Sequence, residues 1–441
     1  MVDSDNCTEP IFSPDTLNLH YSSVQCLDSD LPHPVVEKIT SNTFNFSTIT
    51  IEDLYKSVKH FKSRSVGPDG ISLNVLLLCL PVLAPTLTAL FNKSITTKVF
   101  PTNWKDSFIL PINKVKNPSE PSDYRPISLL SILSKVFEKI VSWQIISYLT
   151  ANNLFDPFQS GFLPHHSTET TLTKLTDDIR SGINDELITL LVLFDFSKAF
   201  DRVSHKLLLN KMHSFGFSLA TIEWFESYLT NRRQSVICGK QKSKWLPVKS
   251  GVPQGSVLGP LLFLIFIDDI RYSIGHSFRL LYADDLQIYL QVSPHFISDG
   301  LNLLEIDISN ILDWSIKNNL ITNFFKTQAI AFGRKKEINI FYQSPPTLKI
   351  GDHIITFCKT VKNLGVMFDY QLTFEDQLNK ITRATNYTLY RLRYFRRYVT
   401  PQLRKRLFTA LVFPHLNYST ALGDVTVTHH ARIQKIINSG V

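Results

Sequence analysis

The feature that most restricts the fold is a set of segments that strongly favour buried strands. The run LITLLVLFDF at 187–196 is apolar and rich in β-branched and aromatic residues, which is typical of a strand buried on both faces. The segment RLLYADDLQIYL at 279–290 reads as a strand, a two-residue turn and a strand. A further hairpin is predicted to turn at Gly239-Lys240. These segments predict antiparallel pairing around a buried central strand.

Segments with helical spacing flank these strands. Thr50 and Asp53 have the spacing of a capping box before an amphipathic run. The segment at 129–149 reads as a long helix, and KAFDRVSHKLLLNKM at 198–212 reads as another. No repeat of fixed period is present, which argues against a solenoid. Helices mixed with antiparallel hairpins predict an α+β fold built around a split βαβ sheet.

Three carboxylates lie at the ends of the predicted strands. Asp195 ends the buried run, and Asp284-Asp285 occupies the turn of the second segment. Adjacent acids repel each other, and a bound divalent cation would relieve that repulsion. Carboxylates at two strand ends can bind a pair of Mg²⁺ ions, with Mn²⁺ as an expected substitute. The arrangement predicts two-metal nucleotidyl transfer, in which a primer 3′-oxygen attacks the α-phosphate of a dNTP.

Each of these signals is weak by itself. A lone Asp at a strand end is usually a turn residue, because Asp is well tolerated in turns. The chain also contains another acidic pair, Asp268-Asp269, at the end of an apolar helical run. No strand follows that pair immediately, so we assign it to helix capping and solvation.

The distribution of charge and cysteine narrows the class of protein. Net charge is +8, yet residues 1–37 contain seven acids and no Lys or Arg, whereas 378–406 contain nine basic residues and no acid. This predicts an acidic flexible N-terminal segment and a basic surface near the C-terminus. The five cysteines form no CxxC pair, which disfavours a zinc site or a disulfide framework. No signal peptide or transmembrane segment is predicted, and no membrane partner is expected.

Three further segments carry a specific resemblance to a known family. The segments are similar to the first three palm motifs of jockey-like LINE-type (non-LTR) retrotransposon reverse transcriptases. In order, they are FDFSKAFDRVSH at 194–205, SGVPQGSVLGPLLF at 250–263 and LYADDLQIY at 281–289. The resemblance runs from about Phe44 to near the end of the chain. Other matching segments are 123–141 and 158–172 (fingers), 323–333 (fourth palm motif) and 361–374 (primer grip).

The resemblance implies a right-hand polymerase with fingers, a palm and a helical thumb. It implies an RNA-directed DNA polymerase whose partners are an RNA template, a DNA primer and dNTPs, with no protein partner predicted. It also implies an intracellular location in the nucleus or cytoplasm. It also implies a fragment that lacks the endonuclease and ends in a truncated thumb. The implied ranges are 1–43 (acidic flexible segment), 44–185 (fingers), 186–370 (palm with primer grip) and 371–441 (thumb), with the reverse transcriptase domain proper at about 95–369.

Catalytic and metal-binding roles follow from the same resemblance. Asp195, Asp284 and Asp285 match the metal ligands, with the backbone carbonyl of Phe196 as a further ligand. Lys326 matches a candidate proton donor to pyrophosphate, and a solvated lysine is the competing interpretation.

Substrate-binding roles are implied in the same way. Phe200 matches the bulky residue under the sugar, and Gly255 allows close backbone approach. Asp201 is assigned a structural role near His205. The nucleotide-binding residues are Lys114, Arg125, Phe200, Gln254 and Gly255, and the residues that grip the template–primer duplex are Lys380, Arg383, Arg391, Arg393, Arg396 and Arg397.

Two alternatives stay open from the sequence. One is a catalytically disabled remnant that binds nucleic acid without turnover. The other is an RNA-dependent RNA polymerase with the same palm chemistry, against which Phe200 argues because a ring under the sugar would clash with a ribose 2′-hydroxyl.

Overall fold

The computed structural model of the chain describes residues 10–24, 39–62, 65–351, 353–395, 397–420 and 427–440. The chain divides into two compact units that each contain helices and strands, which confirms the α+β prediction. The first unit comprises Met1–Asp156, Ser197–Ile270 and Trp314–Ile321, and the second comprises Pro157–Phe196, Arg271–Asp313 and Thr322–Val441.

Helices and strands are interspersed along the described chain. The helices are Pro14–Ser22 (α1), Ile51–His60 (α2), Leu73–Thr97 (α3), Ile132–Ala151 (α4), Thr168–Asn184 (α5), His205–Ser214 (α6), Leu219–Leu229 (α7), Leu258–Ile267 (α8), Ile297–Lys317 (α9), Lys335–Phe341 (α10), Glu375–Tyr394 (α11), Pro401–Leu411 (α12), Phe413–Thr420 (α13) and Val427–Gly440 (α14). The strands are Asp106–Asn113 (β1), Tyr124–Leu129 (β2), Ile188–Phe194 (β3), Phe196–Ser197 (β4), Arg232–Cys238 (β5), Gln241–Lys242 (β6), Leu246–Val248 (β7), Phe278–Tyr282 (β8), Asp285–Val292 (β9), Ile321–Thr322 (β10), Gln328–Phe332 (β11), Thr347–Ile350 (β12), His353–Thr356 (β13), Thr360–Asn363 (β14) and Val366–Asp369 (β15).

The first unit contains a sheet in which β1 pairs with β2 antiparallel and with β5 parallel. Strand β5 also pairs with β6, so the predicted hairpin at Gly239-Lys240 is confirmed. The predicted capping box at α2 is present, since Thr50 and Asp53 bond each other's backbone amides. Aromatic rings fill the core beside α4, where Phe91 and Phe137 stack with ring centroids 4.5 Å apart.

Helix α1 corrects the prediction that residues 1–43 form a flexible segment. Ser13 caps the helix, and Leu17 and Asn18 are fully buried. The Asn18 amide donates to the Ser243 hydroxyl at 2.9 Å and to the Lys244 carbonyl at 2.8 Å. Burial of Leu17 and pairing of a buried amide stabilise a helix in a segment whose acidic composition suggested flexibility. Residues 1–9 and 25–38 of that segment lie outside the described residues.

The segment 198–212 is not one helix, contrary to the prediction. Ala199–Arg202 forms a 3₁₀ turn, and α6 begins only at His205. Ser204 interrupts the helical pattern because its hydroxyl caps α6 by accepting from the Leu207 amide.

The acidic pair at the end of α8 includes the C-cap residue Asp268 but is not solvated, which corrects the predicted solvation of the pair. Asp268 is buried and accepts a hydrogen bond from the Asp156 amide. Asp269 pairs with the fully buried Lys211, whose Nζ lies 2.6 Å from its Oδ1, and it also accepts from the Trp314 indole at 3.0 Å. Lys211 further donates to the Phe266 carbonyl. The pair thus neutralises a buried ammonium in the first unit.

This ion pair gives a stability prediction. Asp269→Ala leaves Lys211 buried without its counter-ion, so we expect the free energy of unfolding to fall by about 3–5 kcal/mol. Urea denaturation measures the loss. The double variant Lys211→Met/Asp269→Leu, which removes both charges, is expected to regain most of it. Equal losses in the single and double variants would contradict the assignment.

Helix α3 is the one helix, among the residues described, that is long and apolar enough to cross a membrane by length and composition. Core helices of folded proteins pass the same test, and Leu76, Leu80 and Phe91 of α3 are buried within the first unit. A single helix of this kind is therefore weak support for a membrane span.

Candidate active site

The site is built on the sheet of the second unit, whose strand order is β11-β3-β9-β8. The two central strands are the predicted ones: β3 is almost completely buried, and β9 pairs with it antiparallel from Ile188↔Val292 to Phe194↔Leu286. Asp195 directly follows β3, and Asp285 begins β9. The register therefore brings Asp195 beside the turn that carries Asp284 and Asp285.

The turn between β8 and β9 is held by a segment whose role the sequence did not indicate. The buried Gln159 side chain accepts from the Ala283 amide at 3.1 Å and donates to the Ala283 carbonyl at 3.4 Å. Ala283 has a positive φ of 59°. Gly161 lies so close that a Cβ there would be 2.2 Å from the Ala283 nitrogen. The QSG sequence at 159–161 belongs to a segment that resembles a fingers motif. Its contact with the turn was not predicted, because it forms only in the folded chain.

The carboxylates repel one another. Burial of the carboxyl group and the negative charges of Asp284 and Asp195 raise the pKa of Asp285 to about 6. Lys326 supplies positive charge nearby, since its Nζ lies 3.5 Å from Asp195 Oδ2. The Asn323 amide donates to the Asp195 carbonyl at 2.8 Å, which places the turn that carries Lys326 against the end of β3.

The donor set suits a hard divalent cation, since it consists of carboxylate oxygens whose repulsion a cation would relieve. In the described part of the chain, no group of three or more His, Cys, Asp or Glu side chains is already arranged to enclose a metal ion. The metal ligands named from the sequence, including the Phe196 carbonyl, therefore stay a prediction.

The raised pKa predicts a pH dependence. Asp285 must lose its proton to bind a cation, so Mg²⁺ competes with protons below about pH 6. Without metal, the raised folded-state pKa favours the protonated form, and that stabilisation is lost as pH rises through about 6. We expect Mg²⁺ to raise the melting temperature at about pH 8 and to have little effect at about pH 5. Thermal unfolding with Asp285→Asn as control measures this; equal Mg²⁺ shifts at both pH values would contradict it.

The predicted nucleotide-binding residues of the palm motifs lie in the first unit. Phe200 stacks on Phe263 of α8, with ring centroids 4.3 Å apart and planes 16° from parallel. The Gln254 carbonyl accepts from the Ser128 amide at 2.7 Å. Gly255 has a φ of 115°, and a Cβ there would be 2.7 Å from the Ser128 carbonyl oxygen. Gly255 therefore lies close to the backbone of β2, and its role beside the nucleotide stays a prediction.

The predicted basic residues of the fingers lie at the loop end of the β1–β2 hairpin. Arg125 is opposite Ile112 in the ladder, and Lys114 directly follows β1. Both side chains are exposed. Lys114 Nζ donates to the Ser122 carbonyl at 2.9 Å. The hairpin therefore brings the two cations to one end of the sheet, as a phosphate contact would require.

The predicted thumb residues lie on and after α11. Its buried face, which includes Ile381 and Leu389, packs in one cluster with residues of α12, α13 and α14. The opposite face carries Tyr387, Tyr390 and Tyr394, which are 65%, 69% and 74% exposed. At 100° per residue the cations Lys380, Arg383 and Arg391 fall on the same stripe as these tyrosines. Lys380, Arg383, Arg391, Arg393 and Arg397 are exposed, and Arg396 lies outside the described residues.

Comparison with known proteins identifies the class. The family model of reverse transcriptase (RNA-dependent DNA polymerase) matches residues 112–368, which is more than half of the chain. The chain therefore belongs to the reverse transcriptase family, whose members use divalent metal ions.

Curated relatives show which kind of reverse transcriptase the chain is similar to. A "Probable RNA-directed DNA polymerase from transposon BS" of Drosophila melanogaster is 30% identical over 88% of this chain and 44% of the relative. The "RNA-directed DNA polymerase from mobile element jockey" of the same species is 25% identical over 89% of this chain and 43% of the relative. The resemblance to non-LTR retrotransposon reverse transcriptases is confirmed. The chain spans less than half the length of these curated relatives.

Proposed function

We propose that the chain is an RNA-directed DNA polymerase of a non-LTR retrotransposon, which adds dNTPs to a primer 3′-hydroxyl. The observation that carries the proposal is the register that brings Asp195 beside Asp284 and Asp285 in one sheet. The three carboxylates repel one another, and the pKa of Asp285 is raised in part for this reason. A bound cation would relieve the repulsion.

The three carboxylates and the Phe196 carbonyl would hold two Mg²⁺ ions, with Mn²⁺ as a substitute. Bound cations would activate the attacking hydroxyl and stabilise the leaving oxygen. Lys326, 3.5 Å from Asp195, is proposed to donate a proton to the departing pyrophosphate. Lys114 and Arg125 would bind the triphosphate, and Phe200, Gln254 and Gly255 would form the nucleotide pocket.

We assign the chain to the parts of a right-hand polymerase as proposals. The fingers would span 44–185, the palm with the primer grip 186–370, and the thumb 371–441. The exposed stripe of Tyr and basic residues on α11 supports a thumb that grips the phosphates of a template–primer duplex. An RNA template, a DNA primer and dNTPs are the proposed partners, and the nucleus or cytoplasm is the proposed location.

A second candidate function is that of a remnant that binds nucleic acid without catalysis. The exposed stripe of Tyr and basic residues on α11 would by itself support such binding. Primer extension on an RNA template with dNTPs and Mg²⁺ separates the two. Incorporation that requires both the RNA template and the divalent cation supports the polymerase. A folded protein that binds the duplex and incorporates nothing supports the remnant.

A further inference from the structure

The segment 250–254 is joined to the residues around the 3₁₀ turn Ala199–Arg202 by a dense set of hydrogen bonds within the first unit. A Cβ on Gly251, whose φ is 84°, would lie 2.8 Å from the Asp201 Cα, so the two segments touch through their backbones. The bonds are Val252 N–Phe200 O (2.9 Å), Gly251 N–Val203 O (2.8 Å), Ser250 Oγ–Asp201 O (3.0 Å), His205 Nε2–Gly251 O (2.8 Å) and Gln254 Nε2–Asp201 Oδ1 (2.8 Å).

Only one of these bonds joins two side chains. Gln254 Nε2 donates to Asp201 Oδ1 at 2.8 Å. An ionised carboxylate can only accept, so the amide nitrogen of Gln254, and not its oxygen, must face Asp201. The bond therefore selects one of the two orientations of the Gln254 amide and leaves the amide oxygen pointing elsewhere.

The surroundings of Asp201 favour this pairing over simple solvation. Burial raises the pKa of Asp201, whereas the hydrogen bond from Gln254 and the positive charge of Lys198 favour its ionised form. Both Asp201 and Gln254 line a cavity whose wall also includes Ser128 and Gly251. A buried carboxylate is costly unless its partners are specific, and here the specific side-chain partner is the predicted nucleotide-binding glutamine.

We propose that Asp201 is a positioning residue that orients the Gln254 amide for an incoming deoxynucleoside triphosphate. The proposal deepens the role given to this pocket and rests on the proposed nucleotide-binding role of Gln254. Without an acceptor at position 201, the Gln254 side chain samples other rotamers and its amide can flip. Nucleotide binding must then re-order it, which weakens binding without changing the reacting groups.

Steady-state primer extension on an RNA template, with KM for dNTP and kcat measured separately, tests the proposal. Asp201→Ala is expected to raise KM for dNTP roughly tenfold and to leave kcat within about twofold. Asp201→Asn keeps an oxygen that can accept from Gln254 and is expected to restore most of the loss. Asp299→Asn, which changes an exposed acid on α9, is the matched control and should resemble the parent.

A merely structural role makes a different prediction, because partial misfolding lowers the active fraction and hence kcat while KM stays the same. Circular dichroism melting checks the fold, and Asp201→Leu, which fills similar space without an acceptor, replaces the Ala variant if that variant melts early. In the Gln254→Ala background, Asp201→Ala is expected to add no further rise in KM.

Two results would overturn the proposal. The first is a folded Asp201→Ala or Asp201→Leu variant whose KM for dNTP equals that of the parent, while Gln254→Ala raises KM. This result would show that Gln254 needs no positioning. A Gln254→Ala variant with a parental KM would remove the premise that Gln254 binds nucleotide. Activity of the parent in the same assay separates both results from failure of the polymerase function itself.

Discussion

Replacing Asp284 and Asp285 together with Asn is expected to reduce primer extension on an RNA template by at least about a thousandfold, or about 4 kcal/mol of transition-state stabilisation. Asp284 lies in the turn before β9, and Asp285 is the first residue of β9, beside the end of β3. Neutral amides would bind hard cations much more weakly than carboxylates do. The loss should appear in kcat, because the substrates' other contacts are unchanged.

The same variant should fold at least as well as the parent. Removal of two of the three mutually repelling carboxylates relieves repulsion in the metal-free protein, so its melting temperature near neutral pH should not fall. The double variant Asp299→Asn/Asp313→Asn removes two exposed acids from α9 and is the matched control, with parental activity expected. Extension by the Asp284→Asn/Asp285→Asn variant at the parental rate would mean that other acids bind the metal.

The second large effect is expected in duplex binding by α11. The triple variant Lys380→Gln/Arg383→Gln/Arg391→Gln removes the cations from the exposed stripe that also carries Tyr387, Tyr390 and Tyr394. Each phosphate contact contributes about 0.9 to the slope of log affinity against log salt concentration, so the slope should decrease by about 2 to 3. Affinity for an RNA–DNA duplex should fall by roughly a hundredfold at low salt and by less at high salt.

Fluorescence anisotropy with a labelled duplex over a salt series measures both quantities. The control, Lys59→Gln/Lys93→Gln/Lys240→Gln, makes the same change in net charge at exposed lysines that share no helix face. If the control lost as much affinity as the α11 variant, binding would depend on total charge and not on the stripe. An unchanged salt slope in the α11 variant would count against the thumb assignment.

Short-range patterns in the sequence determined much of the fold. The apolar run at 187–196 is β3, because a β-branched run of that length has little alternative to a buried strand. The segment at 279–290 is the β8–β9 hairpin, with the turn one residue earlier than predicted. The capping box at Thr50 forms from residues three apart. The order of the motifs was enough to indicate the family, which the comparisons confirm.

Contacts between residues distant in sequence were decided only by the tertiary structure. Asn18 pairs with Gln234 and Ser243, so α1 is ordered by a strand more than two hundred residues away. Asp269 meets Lys211, and Asp201 meets Gln254, over separations of 58 and 53 residues. Local propensity and periodicity carry no information on such partners, because the free energy of these pairs comes from burial and hydrogen bonding that exist only after the chain has folded. The sequence therefore determined the strands and the acids at their ends, and the tertiary structure determined which side chains orient and neutralise the groups around them.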